Sequence, residues 1–169
     1  VGLYSLVSAG VALSDADTST AGFLMRVVQS EEALPNNTSA REQHLRGEIG
    51  GENVADDWQS DNYVWTVDLI NMDQNEGSAG EFYDRADGST RDVFDEFIPG
   101  IPGVTDSTDN FTAEIKTVVK IPSAGLYTFG FNSDDGFRTS VGNDAADSLI
   151  VGEYNGGRGA ATTTFDVYF

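Results

Sequence analysis

The sequence predicts an all-β protein, an antiparallel β-sandwich with one or two short helices in the 30–46 region. Three observations predict it. At least seven short apolar runs, rich in β-branched and aromatic residues, are separated by Gly, Asp, Asn and Ser turns. The best of these runs alternates between apolar and polar residues, the period of a strand with one packed face. Helix signals are confined to the stretch around Pro35 to Arg46. With 169 residues, 39% of them hydrophobic, the chain can bury the core of one domain spanning 1–169.

The elements follow in order. "VGLYSLVSAGVAL" (1–13) and "GFLMRVVQ" (22–29) read as strands split by the polar loop "SDADTST". The first run has a leader-like apolar character but no basic start, so it reads as the opening strand of a processed chain. Ser39 and Glu42 have capping-box spacing and place a short helix over 39–46, with His44 on its exposed side. "YVWTVDLI" (63–70) is a strand, and the Asp-, Gly- and Ser-rich stretch 71–110 reads as loop. In "FTAEIKTVVKI" (111–121), Phe111, Ala113, Ile115, Thr117, Val119 and Ile121 share one face. Pro122 stops that strand and "SAG" turns it, so that "LYTFGF" pairs back. "FRTSV", "SLIVGEY" and "TTTFDVYF" complete the set. The strands from 111 to 141 are expected to lie adjacent and antiparallel, with Ile115, Val119, Tyr127, Phe129, Phe131 and Phe137 in the core.

Charge excludes several classes of function. The formal net charge is −19 and there is no cysteine. So acidic a surface repels phosphate backbones and anionic lipid, so neither nucleic acid nor a membrane is the expected partner. It attracts divalent cations instead. Without cysteine there is no disulfide scaffold, thiolate zinc site or Cys nucleophile. No run approaches the roughly 20 apolar residues of a membrane helix. Nucleophile elbows, phosphate loops and His-based zinc motifs are absent from the sequence, so no enzyme is expected.

Four groups of residues stand out as candidates. Asp134 and Asp135, followed by Gly136, place two carboxylates side by side on one turn. "NMDQNEG" puts Asn71, Asp73 and Asn75 in alternation with Asp68 nearby, but lacks the glycine and closing glutamate of a helix–loop–helix calcium site. "YNGGRGA" offers Asn155 and Arg158 as ligand-facing hydrogen-bonding groups. Trp58, Tyr63 and Trp65 could stack on a sugar, although Trp65 in an alternating strand reads as core.

The segment "VKIPSAGLYTFGFNSDDGFRTSVGN" resembles the signature region of the protective-antigen domain family. The pattern is carried by Pro122, Gly125, Tyr127, Thr128, Phe129, Ser133, Asp134, Asp135, Gly136 and Gly142. The resemblance implies a sandwich with jelly-roll-like strand order. It also implies that Asp134 and Asp135 are calcium ligands joined by a cis peptide, as in the sugar-binding members. The second calcium loop and the final strands of the family are not seen in this chain, and Asn155 lies one strand before the family's ligand asparagine.

Together these readings make the chain a non-catalytic, calcium-binding β-sandwich module, extracellular or at the cell surface. Its expected role is adhesion through glycan or partner recognition. The alternatives are a structural subunit of a surface layer or fibre assembled by strand addition, and an accessory domain of a larger secreted enzyme. The resemblance leads us to expect a C-terminal truncation. "TTTFDVYF" would then leave an open sheet edge, inviting self-association or strand complementation in trans.

Overall fold

The computed structural model describes residues 5–7, 16, 19–74, 79–84, 91–94, 96–142 and 148–169. Its elements are β1 (Ser5–Leu6), β2 (Phe23–Gln29), α1 (Thr38–Leu45), β3 (Val64–Val67), β4 (Met72–Asp73), β5 (Ala79–Asp84) and β6 (Arg91–Phe94). They continue with β7 (Glu96–Phe97), β8 (Phe111–Lys116), β9 (Leu126–Ser133), β10 (Phe137–Val141), β11 (Leu149–Tyr154) and β12 (Ala161–Tyr168). The protein is all-β, as the alternating runs predict, with one short helix among the described residues. Its residues fall into two compact units.

The first unit comprises Val1–Ser19, Asn36–Ser39 and Val118–Phe169. Its larger sheet has the order β1-β12-β9, with β9 and β12 antiparallel from Ala161 opposite Ser133 to Tyr168 opposite Leu126. That register sets Phe165 beside Phe129 and Val167 beside Tyr127 on one face. A second sheet, β10 with β11, lies against this face. Phe137 stacks on Phe131 with ring centroids 4.8 Å apart, and Phe165 stacks on Phe129 at 5.8 Å. A Cβ on Gly152 of β11 would enter the Phe165 ring, so glycine is what lets the layers approach there.

Two expectations about this unit are corrected. The 111–141 strands are not neighbours: β8 pairs with β2, β9 with β12, and β10 with β11. Asp134–Asp135 therefore turns the chain from one sheet into the other, as an arch and not a hairpin. The arch lets Phe131 and Phe137 bury ring against ring across two layers, where a hairpin would leave them side by side in one sheet. Nor is β12 an open edge at its end. The chain's own Ser5 and Leu6 pair in parallel with Val167 and Tyr168, and Val7 N–H donates to the Tyr168 carbonyl at 2.9 Å.

The second unit comprises Thr20–Pro35 and Ala40–Thr117. Its main sheet runs β3-β2-β8, all antiparallel. Met25 and Val27 of β2 form a buried cluster with Ala55, Ile98 and Ile101, against which Tyr63, Trp65, Phe111 and Ala113 pack. Gln29 continues the same face, fully buried. Its Nε2 donates to the carbonyls of Ser107 at 2.8 Å and Asp109 at 3.0 Å. This side chain ties the 103–109 loop to the sheet.

The 111 strand ends at Lys116, not at 121. Its partner β2 begins at Phe23, and Gly22 just before it takes φ +108, so the ladder has nothing left to pair with. Beyond the ladder Val119 is 60% exposed, and Ile115 near its end is 38% exposed, so neither is core. The helix begins at Thr38, and His44 is buried at 4% exposure, not exposed. His44 Nδ1 lies 3.0 Å from Thr112 Oγ1 on the back of the sheet. Burial, reinforced by the Arg41 charge, lowers the His44 pKa and favours its neutral form.

Candidate functional site

The Asp134–Asp135 turn joins β9 to β10. Asp135 adopts φ +60, a left-handed conformation that aspartate tolerates better than most residues. Ser133 Oγ donates to the Asp135 carbonyl at 3.0 Å and closes the turn. Among the described residues the one cis peptide is Ile101–Pro102, so the Asp134–Asp135 bond is trans, contrary to what the resemblance implies. Gly136 must be glycine for space: a Cβ there would sit 2.7 Å from the Tyr154 carbonyl.

The structure brings the two loop candidates together. The loop after β11, carrying Asn155 and Arg158, lies directly against the aspartate turn. Asp135 N–H donates to the Arg158 carbonyl at 2.9 Å, and Arg158 N–H donates to Asp135 Oδ1 at 3.3 Å. The Arg158 guanidinium is anchored on three sides. It donates to the Ser133 carbonyl (3.1 Å), to Ser133 Oγ (2.7 Å) and to Thr163 Oγ1 (2.7 Å), and lies 4.2 Å over the Tyr154 ring. Arg158 thus holds the turn in place.

Asn155 has a different job in the same loop. Its Oδ1 accepts the Thr38 N–H at 3.0 Å, satisfying one of the amides that the first turn of α1 leaves without an intrahelical partner. Thr38 Oγ1 donates to Glu153 Oε1 at 2.6 Å, and Arg138 Nη2 reaches the same oxygen at 2.8 Å. The Thr38 hydrogen bond first, and Arg138 second, hold the Glu153 carboxyl below its usual pKa. Sequence reasoning missed this pin, since Thr38, Arg138 and Glu153 are far apart in the chain. Ser133 was visible in the motif, but its role as anchor for Arg158 was not.

The turn offers donors for a hard cation, though few. Asp134 is exposed and its carboxylate has no hydrogen-bond partner among the described residues. Asp135 engages one carboxylate oxygen with Arg158 N–H and leaves the other. The carbonyls of Ser133, Asp135 and Arg158 are already accepting hydrogen bonds. No group of three or more His, Cys, Asp or Glu side chains that could hold a metal occurs among the described residues. Calcium takes about six to eight oxygens, so these two carboxylates could supply only part of its shell and water would have to supply most of the rest.

The remaining candidates are dispersed. Asn71 is buried and Asp73 half-buried at the β4 strand, while Asn75 lies outside the described residues. Tyr63 and Trp65 pack on the second unit's core, as read for Trp65, and Trp58 stays 71% exposed. A shallow pocket of about 270 Å³ is lined by Arg26, His44 and Arg46, but Glu114 and Glu48 pair with its two arginines.

With this geometry in hand, the comparisons are specific to one region. Residues 74–146 match the PA14 domain, the family that the "SDDG" segment resembles. PA14 domains are carbohydrate-binding-like β modules, found mostly in extracellular or surface proteins. No curated protein and no solved structure matches the chain. No helix among the described residues is long and apolar enough to cross a membrane, which bears on helices alone.

Proposed function

We propose that this chain is a non-catalytic, extracellular adhesion module that recognises glycans at the Asp134–Asp135 turn with the help of calcium. The observation that carries the reading is the assembled two-loop site: an exposed Asp134 carboxylate, without a hydrogen-bond partner among the described residues, beside Asp135 on a turn that Arg158 fixes from the adjoining loop. Asp134 and Asp135 would hold the ion, and a bound calcium would offer its open positions to sugar hydroxyls. Asn155, exposed at the rim, would sit close enough to contact a ligand only beyond its bond to Thr38. Assembly by strand addition has less support, because Ser5–Leu6 already pairs with the end of β12.

The test is a glycan array probed with and without chelator. Binding to at least one glycan that appears with calcium, vanishes with chelator and is lost in Asp134→Asn supports the reading. Binding to no glycan in either condition removes glycan recognition from it.

A further inference from the structure

Trp58 combines an exposed ring with a tightly held backbone. The residue is 71% exposed. Its N–H donates to Asp56 Oδ1 at 3.1 Å and its carbonyl accepts the Trp65 indole N–H at 3.2 Å. Tyr63 N–H donates to Ser60 Oγ at 2.9 Å, and Asp61 and Val64 exchange backbone hydrogen bonds, closing the loop on itself. Gln59, Asn62 and Tyr63 take φ +58, +55 and +63. Left-handed backbone is uncommon outside glycine and is a true outlier for a bulky residue such as tyrosine. Such conformations persist only where their surroundings hold them, and they gather at ligand sites.

A single exposed apolar side chain on a surface is ordinary. A tryptophan presented by a strained, bolted loop is not, because the chain has gone against its own preferences to fix an apolar ring in water. The exposed residues of the same loop tell what would cover it. Asp57, Gln59, Asp61 and Asn62 are exposed, and their side chains have no hydrogen-bond partner among the described residues. A flat apolar ring on a loop that also carries exposed carboxylates and amides matches a pyranose, whose C–H face is apolar and whose edge carries hydroxyls. The loop's carboxylates and the net charge of −19 select against anionic sugars.

We infer that Trp58 is the stacking platform of a second glycan subsite, for neutral pyranose oligosaccharides, formed within the second unit and working without the Asp134–Asp135 turn. It lies outside the segment matched to the PA14 domain. The choice of ligand class rests on the proposed function; the position and composition of the subsite do not.

The experiment titrates the whole chain with neutral tetrasaccharides of glucose, mannose, galactose and N-acetylglucosamine, in calcium and in chelator, following affinity by calorimetry and tryptophan emission. The chain has two tryptophans, so a saccharide-induced emission change that disappears in Trp58→Ala reports the Trp58 loop. At least one tetrasaccharide should bind equally well in chelator and to Asp134→Asn. Trp58→Ala should weaken that binding about tenfold or more, in line with loss of a central aromatic anchor, and Trp58→Tyr should retain most of it. Circular dichroism checks that the variants fold. The inference is overturned if no tetrasaccharide in the panel binds, or if binding is unchanged in Trp58→Ala. Binding abolished by chelator and by Asp134→Asn, but not by Trp58→Ala, would uphold the turn site and overturn this one.

Discussion

The two units solve the same packing problem with different materials. In the first, the layers meet through rings: Phe129, Phe131, Phe137 and Phe165 stack on one another across β9, β10 and β12. The second has an aliphatic centre at Met25, Val27, Ile98 and Ile101, and extends its core with a fully buried glutamine. Ring stacking needs only regular strands in register. A buried glutamine needs loops that bring carbonyls to it, so its environment is built by irregular chain. The difference teaches that the first unit's core is a property of its alternation, and the second's of its loops.

The strongest way to break this comparison is to remove a ring. Phe131→Ala should destabilise the protein by about 3 kcal/mol, the low end for a buried phenylalanine because Phe131 is half-exposed. Denaturant unfolding measures it. A loss well under 1 kcal/mol would mean that the rings are not what binds the layers.

Next in size is the glutamine. Gln29→Leu keeps the volume but removes the donor to Ser107 and Asp109; the Ser107 carbonyl keeps the Gly103 N–H, while the Asp109 carbonyl loses its partner among the described residues. The expected loss is about 1–3 kcal/mol. A neutral or stabilising result would show that loop 103–109 closes without it, and that the second unit's core is apolar packing alone.

A smaller effect sharpens the comparison at the Arg138–Glu153 ion pair of the first unit. Glu153 has a pKa lowered in the folded state from the usual 4.5, so its contribution is fully present above that value. It is lost as pH falls through the lowered folded value. Glu153→Gln should therefore be less stable than the parent at neutral pH, with the gap closing below pH 4.5. Solvent exposure and screening keep the gap small, under about 1 kcal/mol. A gap that is constant from neutral to acid pH would assign the effect to packing and not to charge.

What was legible in the sequence follows the same division. The ring-bearing strands could be read residue by residue, because Tyr127, Phe129, Phe131 and Phe165, Val167 alternate with polar neighbours. Which strand pairs with which could not. Periodicity fixes the face of a side chain but says nothing about its partner, so the arch at Asp134–Asp135 looked like a hairpin. The over-long 111 strand has the same origin: alternation persisted to Ile121 while the ladder stopped where Gly22 turned β2 away. In the second unit Ala55, Ile98 and Ile101 lie in stretches with no period and were invisible as core. Of the candidate site, the aspartate pair was plain from its doubling and the motif around it. Its contact with Arg158 depends on the β9–β12 register, which no local pattern encodes.

Calcium binding at the Asp134–Asp135 turn, as proposed, is tested most directly by thermal unfolding across a calcium titration. A ligand that binds only the folded state stabilises it by mass action, about 2.7 kcal/mol once it exceeds its dissociation constant a hundredfold. The parent chain should show a midpoint that climbs with calcium and falls back with chelator. Asp134→Asn should melt as the parent does in chelator and gain nothing from calcium, because among the described residues Asp134 has no side-chain hydrogen bond that its loss would break. A parent midpoint that calcium leaves unmoved, or a rise that Asp134→Asn retains in full, would contradict the claim.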